Sequence, residues 1–321
     1  MPSVPEIDVL AIGNAIVDVL AHATDEFIAA QALTKGSMML IDEARAAELY
    51  EHMGPAIEVS GGSAANTAAG VASCGGRAGF IGKVRDDQLG QVFAHDLRSV
   101  GVHYETALAV SGPATARSLI VVTPDAQRTM STFLGVAAEV TVDDVDEALV
   151  AAAGITYVEG YLCGLPVTKA ALDKAVSLSS RVALTLSDSF WVGDQRSAFE
   201  ELLPKVDVLF ANEHEVCELY ETDDLSVALD RVGAEVGLAA VTRGPAGSIV
   251  VADGGRHEVA AHPVERVVDT TGAGDLYAAG FLFGLARGDD PAECARLGGI
   301  AAAEVISHIG ARPEVSLSSL L

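Results

Sequence analysis

The segment Asp269-Thr270-Thr271-Gly272-Ala273-Gly274-Asp275 puts two threonines, a Gly-Ala-Gly turn and a carboxylate directly before the apolar run Leu276-Tyr277-Ala278-Ala279-Gly280-Phe281. Glycines let the backbone turn sharply and approach a ligand closely. The start of the helix that follows would offer free amides and the positive end of its dipole to an anion. Asp275 is out of place in a pure anion site, because its charge repels the ligand. Beside a bound phosphate it makes better sense as the group that handles a hydroxyl proton, which points to phosphoryl transfer onto an alcohol. The plainer alternative is a Gly-rich turn whose Asp merely complements a helix dipole.

Four further segments carry polar groups in positions suited to ligands. Ser60-Gly61-Gly62-Ser63-Ala64-Ala65-Asn66 pairs glycines with Ser63 and Asn66 ahead of an Ala-rich helix. Asn14-Ala15-Ile16-Val17-Asp18 follows the first strand-like run, where a carboxylate and an amide can grip a vicinal diol; a turn capped by Asn and Asp is the alternative. Asn212-Glu213-His214-Glu215 reads either as a helix N-cap with its capping box or as groups holding the water shell of Mg²⁺. Thr242-Arg243-Gly244-Pro245-Ala246-Gly247 runs from a strand into a Gly-rich turn. Neither Gly-rich helix start is a P-loop, and no G-x-G-x-x-G follows a strand. Near Gly82-Lys83 the required glycine is Arg77 and the Ser/Thr is Val84.

The elements that must position these groups alternate. Short runs rich in Val, Ile and Leu at 7–12, 78–82, 155–158, 182–186, 206–210 and 238–241 read as buried parallel strands. Amphipathic stretches at 87–100, 168–178 and 213–220 lie between them, giving βαβ units. Segments 272–286 and 291–309 read as consecutive helices, and 248–252 with 256–260 as a hairpin. The runs at 38–41, 57–60 and 116–123 lack crossover helices and are expected to form a small β-lid. The reading is one α/β domain over 1–321, with a central, mostly parallel sheet flanked by helices. The lid is drawn discontinuously from roughly 15–60 and 105–135.

Composition bounds the function. The chain has 321 residues, 50% hydrophobic and 20% charged, which suits a packed globular protein rather than a disordered one. A net charge of −25 argues against nucleic acid and anionic membranes as partners. No apolar run reaches the length of a membrane span and no signal sequence is evident, so a cytoplasmic location is expected. Cys74, Cys163, Cys217 and Cys294 form no C-x-x-C pair and read as buried free thiols.

In this order, the Asn/Asp turn, Gly-Gly-x-x-x-Asn, Asn-x-x-Glu, Thr-x-Gly-x-x-Gly and Asp-Thr-x-Gly-Ala-Gly-Asp resemble the ribokinase family, the PfkB carbohydrate kinases, over essentially the whole chain. The resemblance implies a ribokinase-like fold and ATP-dependent phosphorylation of a hydroxymethyl group. It implies Asp275 as catalytic base and the amides of Gly272, Ala273 and Gly274 as the anion hole. Asn14, Asp18, Gly62, Ser63 and Asn66 would bind acceptor hydroxyls. Asn212, Thr242, Gly244, Gly247 and Thr271 would line the nucleotide site, with Glu215 organising Mg²⁺ through water. Asp269 and Thr271 fall where relatives bind a monovalent cation, so K⁺ enters the expectation. The phrases Gly13-Asn14-Ala15-Ile16-Val17-Asp18 and Tyr157-Val158-Glu159-Gly160-Tyr161 are similar to the adenosine kinase branch. That likeness implies Tyr161 stacked on a purine, Met39 near the base and Arg128 within reach of phosphate. Thr271 is the ribokinase-like choice where that branch has Asn, so a sugar kinase acting on ribose, fructose or a similar free sugar stays open beside adenosine. A nucleotide-binding sensor without turnover is the alternative from another class; it would normally have lost the base or the glycines, and both are present. The two branches imply a monomer and a lid-mediated homodimer respectively, and both stay open.

Overall fold

The computed structural model describes residues 6–125 and 127–321. Thirteen strands form two sheets: β1 (Ile7–Ile12), β2 (Ile16–His22), β3 (Met38–Leu40), β4 (Ala56–Gly61), β5 (Ala78–Ile81), β6 (Ala116–Val122), β7 (Arg128–Phe133), β8 (Ala153–Glu159), β9 (Val182–Thr185), β10 (Val208–Asn212), β11 (Leu238–Thr242), β12 (Ser248–Ala252) and β13 (Gly255–Val259). The large sheet runs β13-β12-β11-β10-β9-β8-β1-β5 and is parallel from β5 to β11, with β12 and β13 added antiparallel. Its central strands are buried on both faces, which is why they read as unbroken apolar runs. The described residues pack into two buried clusters, one on each face of this sheet.

The chain starts at β1, moves out to β5 and returns to β8, so strand order reverses at β1. Ligands of open α/β sheets bind beyond the carboxyl ends of the strands at such a reversal. Asn14 follows β1 and Glu159 ends β8, so both stand there.

The small sheet runs β3-β7-β6-β2-β4. Two of its strands go beyond the sequence reading. Residues 16–18 form the start of β2 rather than a turn, and β7 is a further strand. In β2, Val17, Val19 and Ala21 are buried alternately, so the period of two is present, but Asp18 in its midst disguises it. In β7 the buried positions are Thr129, Ser131 and Thr132, which carry no apolar signal. Other differences are at ends: β10 begins at Val208 because Leu203–Lys205 forms a 3₁₀ turn at Pro204, and the last long helix stops at Val305. The hairpin closes on Asp253-Gly254 alone, both with positive φ as a two-residue loop requires. Cys74, Cys163 and Cys294 are buried free thiols, whereas Cys217 is only half-buried.

Helices Ala273–Arg287 and Pro291–Val305 pack closely through glycines. A Cβ added to Gly280 would lie 2.5 Å from the Leu297 carbonyl oxygen. Gly280→Ala should therefore lower the unfolding free energy by ~1–3 kcal/mol in urea titrations, even though Ala is the better helix former. A gain in stability would contradict this packing.

Candidate active site

Asp275 stands in the first turn of the Ala273–Arg287 helix, and its carboxylate crosses to the start of a second helix, Ser63–Ser73. Ser63 Oγ donates to Oδ1 at 2.7 Å and Asn66 Nδ2 donates to Oδ2 at 2.9 Å. A carboxylate only accepts, so the Asn66 amide is oriented with its nitrogen toward Asp275, which leaves its Oδ1 buried without a partner. Burial pushes Asp275 upward from the ordinary carboxylate range; the hydrogen bonds from Asn66 and Ser63 and the charge of Arg312 pull it back. Desolvation is the larger influence.

Asp275 sits where two cavities meet. The larger, of about 400 Å³, has a polar floor formed by Asn14, Asp18, Ser63, Asn66, Glu159 and Asp275. The rest of its lining includes the apolar and aromatic side chains of Met38, Leu40, Met130, Leu134, Tyr161 and Trp191. The smaller, of about 180 Å³, lies at the ends of β10 and β11 and is lined by Asn212, Glu215, Thr242 and Gly274 together with Ser63 and Asp275.

Glu159, quoted only as part of a phrase in the sequence reading, joins the two halves of the floor. Its Oε1 accepts from both the backbone and side-chain nitrogens of Asn14 at 2.7 Å, and its Oε2 accepts from the Ala64 amide at 3.0 Å. Burial nonetheless raises Glu159 to about 7, and it raises Asp18 to about 7 against the pull of Arg312 and Arg128. Gly62 makes the junction: its φ is +92°, and a Cβ there would lie 2.3 Å from the Asn14 carbonyl oxygen.

Several expected residues are placed differently from their assigned roles. Met39 is half-exposed and is not among the residues lining the cavity; Met38 and Leu40 are, because successive strand residues face opposite ways. Of the three anion-hole amides, that of Ala273 is spent on the Thr270 carbonyl at 3.2 Å, while those of Gly272 and Gly274 have no protein acceptor among the described residues. Arg128 is not among the residues lining either cavity. It donates to Thr271 Oγ1 at 2.5 Å and pairs with Asp269, whose carboxylate also accepts from the amides of Thr271 and Gly310. Arg128 thus offsets the charge of Asp269. Asn212 and Glu215 form the capping box, with Asn212 Nδ2 donating to Glu215 Oε1 at 2.7 Å. Burial brings Glu215 to about 7. Gly244 and Gly247 make the positive-φ turn after β11 but do not line the smaller cavity. Tyr161 lines the larger one and packs against Trp191, ring centroids 5.9 Å apart.

A mostly parallel sheet capped by a small second sheet, with free amides at a glycine helix start beside a buried carboxylate, defines an α/β phosphotransferase of the carbohydrate kinase type. The family model described as "pfkB family carbohydrate kinase" matches residues 36–317. The structure superposes on that of the adenosine kinase from Sinorhizobium meliloti with a TM-score of 0.92 at 50% identity, covering 98% of each chain. Adenosine kinase of Saccharomyces cerevisiae is 27% identical over 94% of this chain and 95% of its own length. A fructokinase of Klebsiella pneumoniae is 28% identical over 82% and 88%. The chain belongs to the pfkB family of carbohydrate kinases and is a phosphotransferase with an alcohol as acceptor. Among the described residues no helix is long and apolar enough to cross a membrane.

Because burial lifts Glu159 from its ordinary 4.5 to about 7, the folded state holds its proton more tightly than the unfolded chain does. The stability that wild type gains over Glu159→Gln should therefore be greatest below about pH 4.5. It should fall as pH rises toward 7, by an amount on the order of 3 kcal/mol, and then level off. Urea unfolding across pH 4–8 measures it. A difference that grows over that interval contradicts the assignment.

Proposed function

We propose that this kinase transfers the γ-phosphoryl of ATP to the 5′-hydroxyl of adenosine, giving AMP. The observation that carries the reading is one cavity lined both by carboxylates and amides suited to ribose hydroxyls and by the aromatic pair Tyr161 and Trp191. A flat base would fill the space beside those rings, and aromatic faces favour it. A free sugar would leave that space empty. The names of the Sinorhizobium meliloti and Saccharomyces cerevisiae relatives support the same choice.

In this reading Asp18 and Asn14 orient the ribose, and Asp275 aims the 5′-hydroxyl toward the smaller cavity. Ser63 and Asn66 fix the carboxylate, so its remaining lone pairs face the acceptor proton. The amides of Gly272 and Gly274 stabilise charge gathering on the phosphoryl oxygens. Asp275 is a weak base for an alcohol, so it takes the proton late and its main contribution is positioning. When bound, Mg²⁺ neutralises charge on the phosphates. Glu215 fits such an ion held through water, since both its oxygens already accept from Asn212. The small sheet over the cavity acts as the lid of one α/β domain and excludes water. A free-sugar acceptor is the second reading. It is favoured by a floor that suits any polyol and by the fructokinase relative.

ADP release with ATP and Mg²⁺ should be fastest with adenosine when compared with other nucleosides, ribose, fructose and fructose 6-phosphate. Fastest release with a free sugar would overturn the base pocket. Adenosine alone should perturb the emission of Trp191, the chain's single tryptophan, and an unchanged spectrum would count against it. Asp275→Asn should lower kcat by at least ~10² while nucleotide binding survives. Near-normal turnover would remove Asp275 from its role.

A further inference from the structure

Arg312 lies beyond the last long helix, and the sequence reading gave it no part. Its guanidinium reaches beneath the Gly-Gly turn: Nε donates to the Ser60 carbonyl at 3.0 Å, Nη2 to Ser60 Oγ at 3.2 Å and Nη1 to the Ala65 carbonyl at 2.7 Å. Ser60 and Ala65 bracket Gly61 and Gly62. On the other side of that turn stands Asp18, close enough that a Cβ on Gly61 would lie 2.4 Å from its Oδ2. The same turn launches Ser63 and Asn66 onto Asp275.

All three of these hydrogen bonds go to neutral oxygens, and among the described residues Arg312 makes no direct ion pair. Its charge is therefore not cancelled at contact and acts through protein on the cavity floor, where interactions are screened less than in water. We propose that Arg312 is a positioning residue for phosphoryl transfer: it clamps the Gly61-Gly62 turn from beneath and supplies the positive charge that offsets Asp18 and Asp275.

The groups facing Asp275 make this charge matter. Asp18 on β2, Glu159 on β8 and Glu215 after β10 are carboxylates, and buried Tyr157 adds no positive charge. Arg128 is committed to Asp269 and bears on Asp18. Asp96 bears on Arg312 from the Gln88–Ser99 helix and accepts from the Ser60 amide at 3.0 Å, partly offsetting the guanidinium. Arg312 is brought down by burial to about 10 and stays charged at neutral pH.

The inference rests on Asp275 as the group that must be ionised to receive the acceptor proton. The test is the pH profile of the single-turnover rate with ATP, Mg²⁺ and adenosine, or ribose should adenosine not be turned over. Removing the charge in Arg312→Gln should move the acid limb up by at least about one pH unit, a tenfold change in proton affinity. Arg312→Lys keeps the charge but not the planar fork, so its acid limb should stay near wild type while the rate falls at every pH. Asp96→Asn removes a negative charge from the same turn and should move the limb down; it shows whether buried charge at that turn reaches Asp275 even if Arg312→Gln does not fold. An acid limb unmoved in Arg312→Gln or in Asp96→Asn, or shifted as far by Lys as by Gln, overturns the proposal. Asp275→Asn separates the two levels. Normal turnover there removes the functional reading, whereas lost turnover with an unmoved limb in Arg312→Gln removes only the role of Arg312.

Discussion

The carboxylate of Asp275 ties together two helix starts that come from opposite parts of the chain, 212 residues apart at the Ser63 contact. Around that crossing everything else is arranged. The helix behind Ser63 closes the floor of the larger cavity, the helix behind Asp275 lines the smaller one with Gly274 and Tyr277, and the two cavities share Ser63, Ser187 and Asp275. Burial favours the protonated form of such a carboxylate, and hydrogen bonds to the charged form oppose it. The same two hydrogen bonds therefore aim Asp275 and pull against the burial that raises it.

The electrostatic difficulty of the site follows from its chemistry. Three carboxylates stand on one floor: Asp18, Glu159 and Asp275. Burial raises all three, and the charge of Asp275 raises Asp18 and Glu159 further. The fold answers with backbone amides on Glu159, neutral donors on Asp275 and one guanidinium behind the glycine turn. None of these answers places a cation inside the cavity, where it would occupy the substrate's space.

Much of this was legible from sequence where the signal is local. Gly-Ala-Gly before Asp275, the paired glycines before Ser63 and the capping box at Asn212 each lie within a few consecutive residues, and the strand runs of the large sheet are apolar because both faces are covered. What stayed hidden depends on distant partners. Glu159 is defined by Asn14, 145 positions away, and Arg312 by Ser60, 252 positions away. Trp191 joins the cavity wall only because its helix folds against Gly160, whose carbonyl accepts from Nε1 at 3.0 Å. That Met38 and Leu40 line the cavity beside the expected Met39 follows from the phase of a three-residue, exposed edge strand, which cannot be read from its own residues. Arg128 was recognised as important, but which group it meets is fixed by β7, whose polar sequence does not announce a strand.

The central claim is that this cavity delivers a phosphoryl group to a primary hydroxyl held against Asp275. The most direct measurement is the phosphorus NMR spectrum of the product formed from ATP, Mg²⁺ and adenosine. The account predicts one new phosphomonoester resonance split by the two C5′ protons, growing in step with ADP. ADP accompanied only by inorganic phosphate, or a phosphoester coupled to a single ring proton, would contradict it.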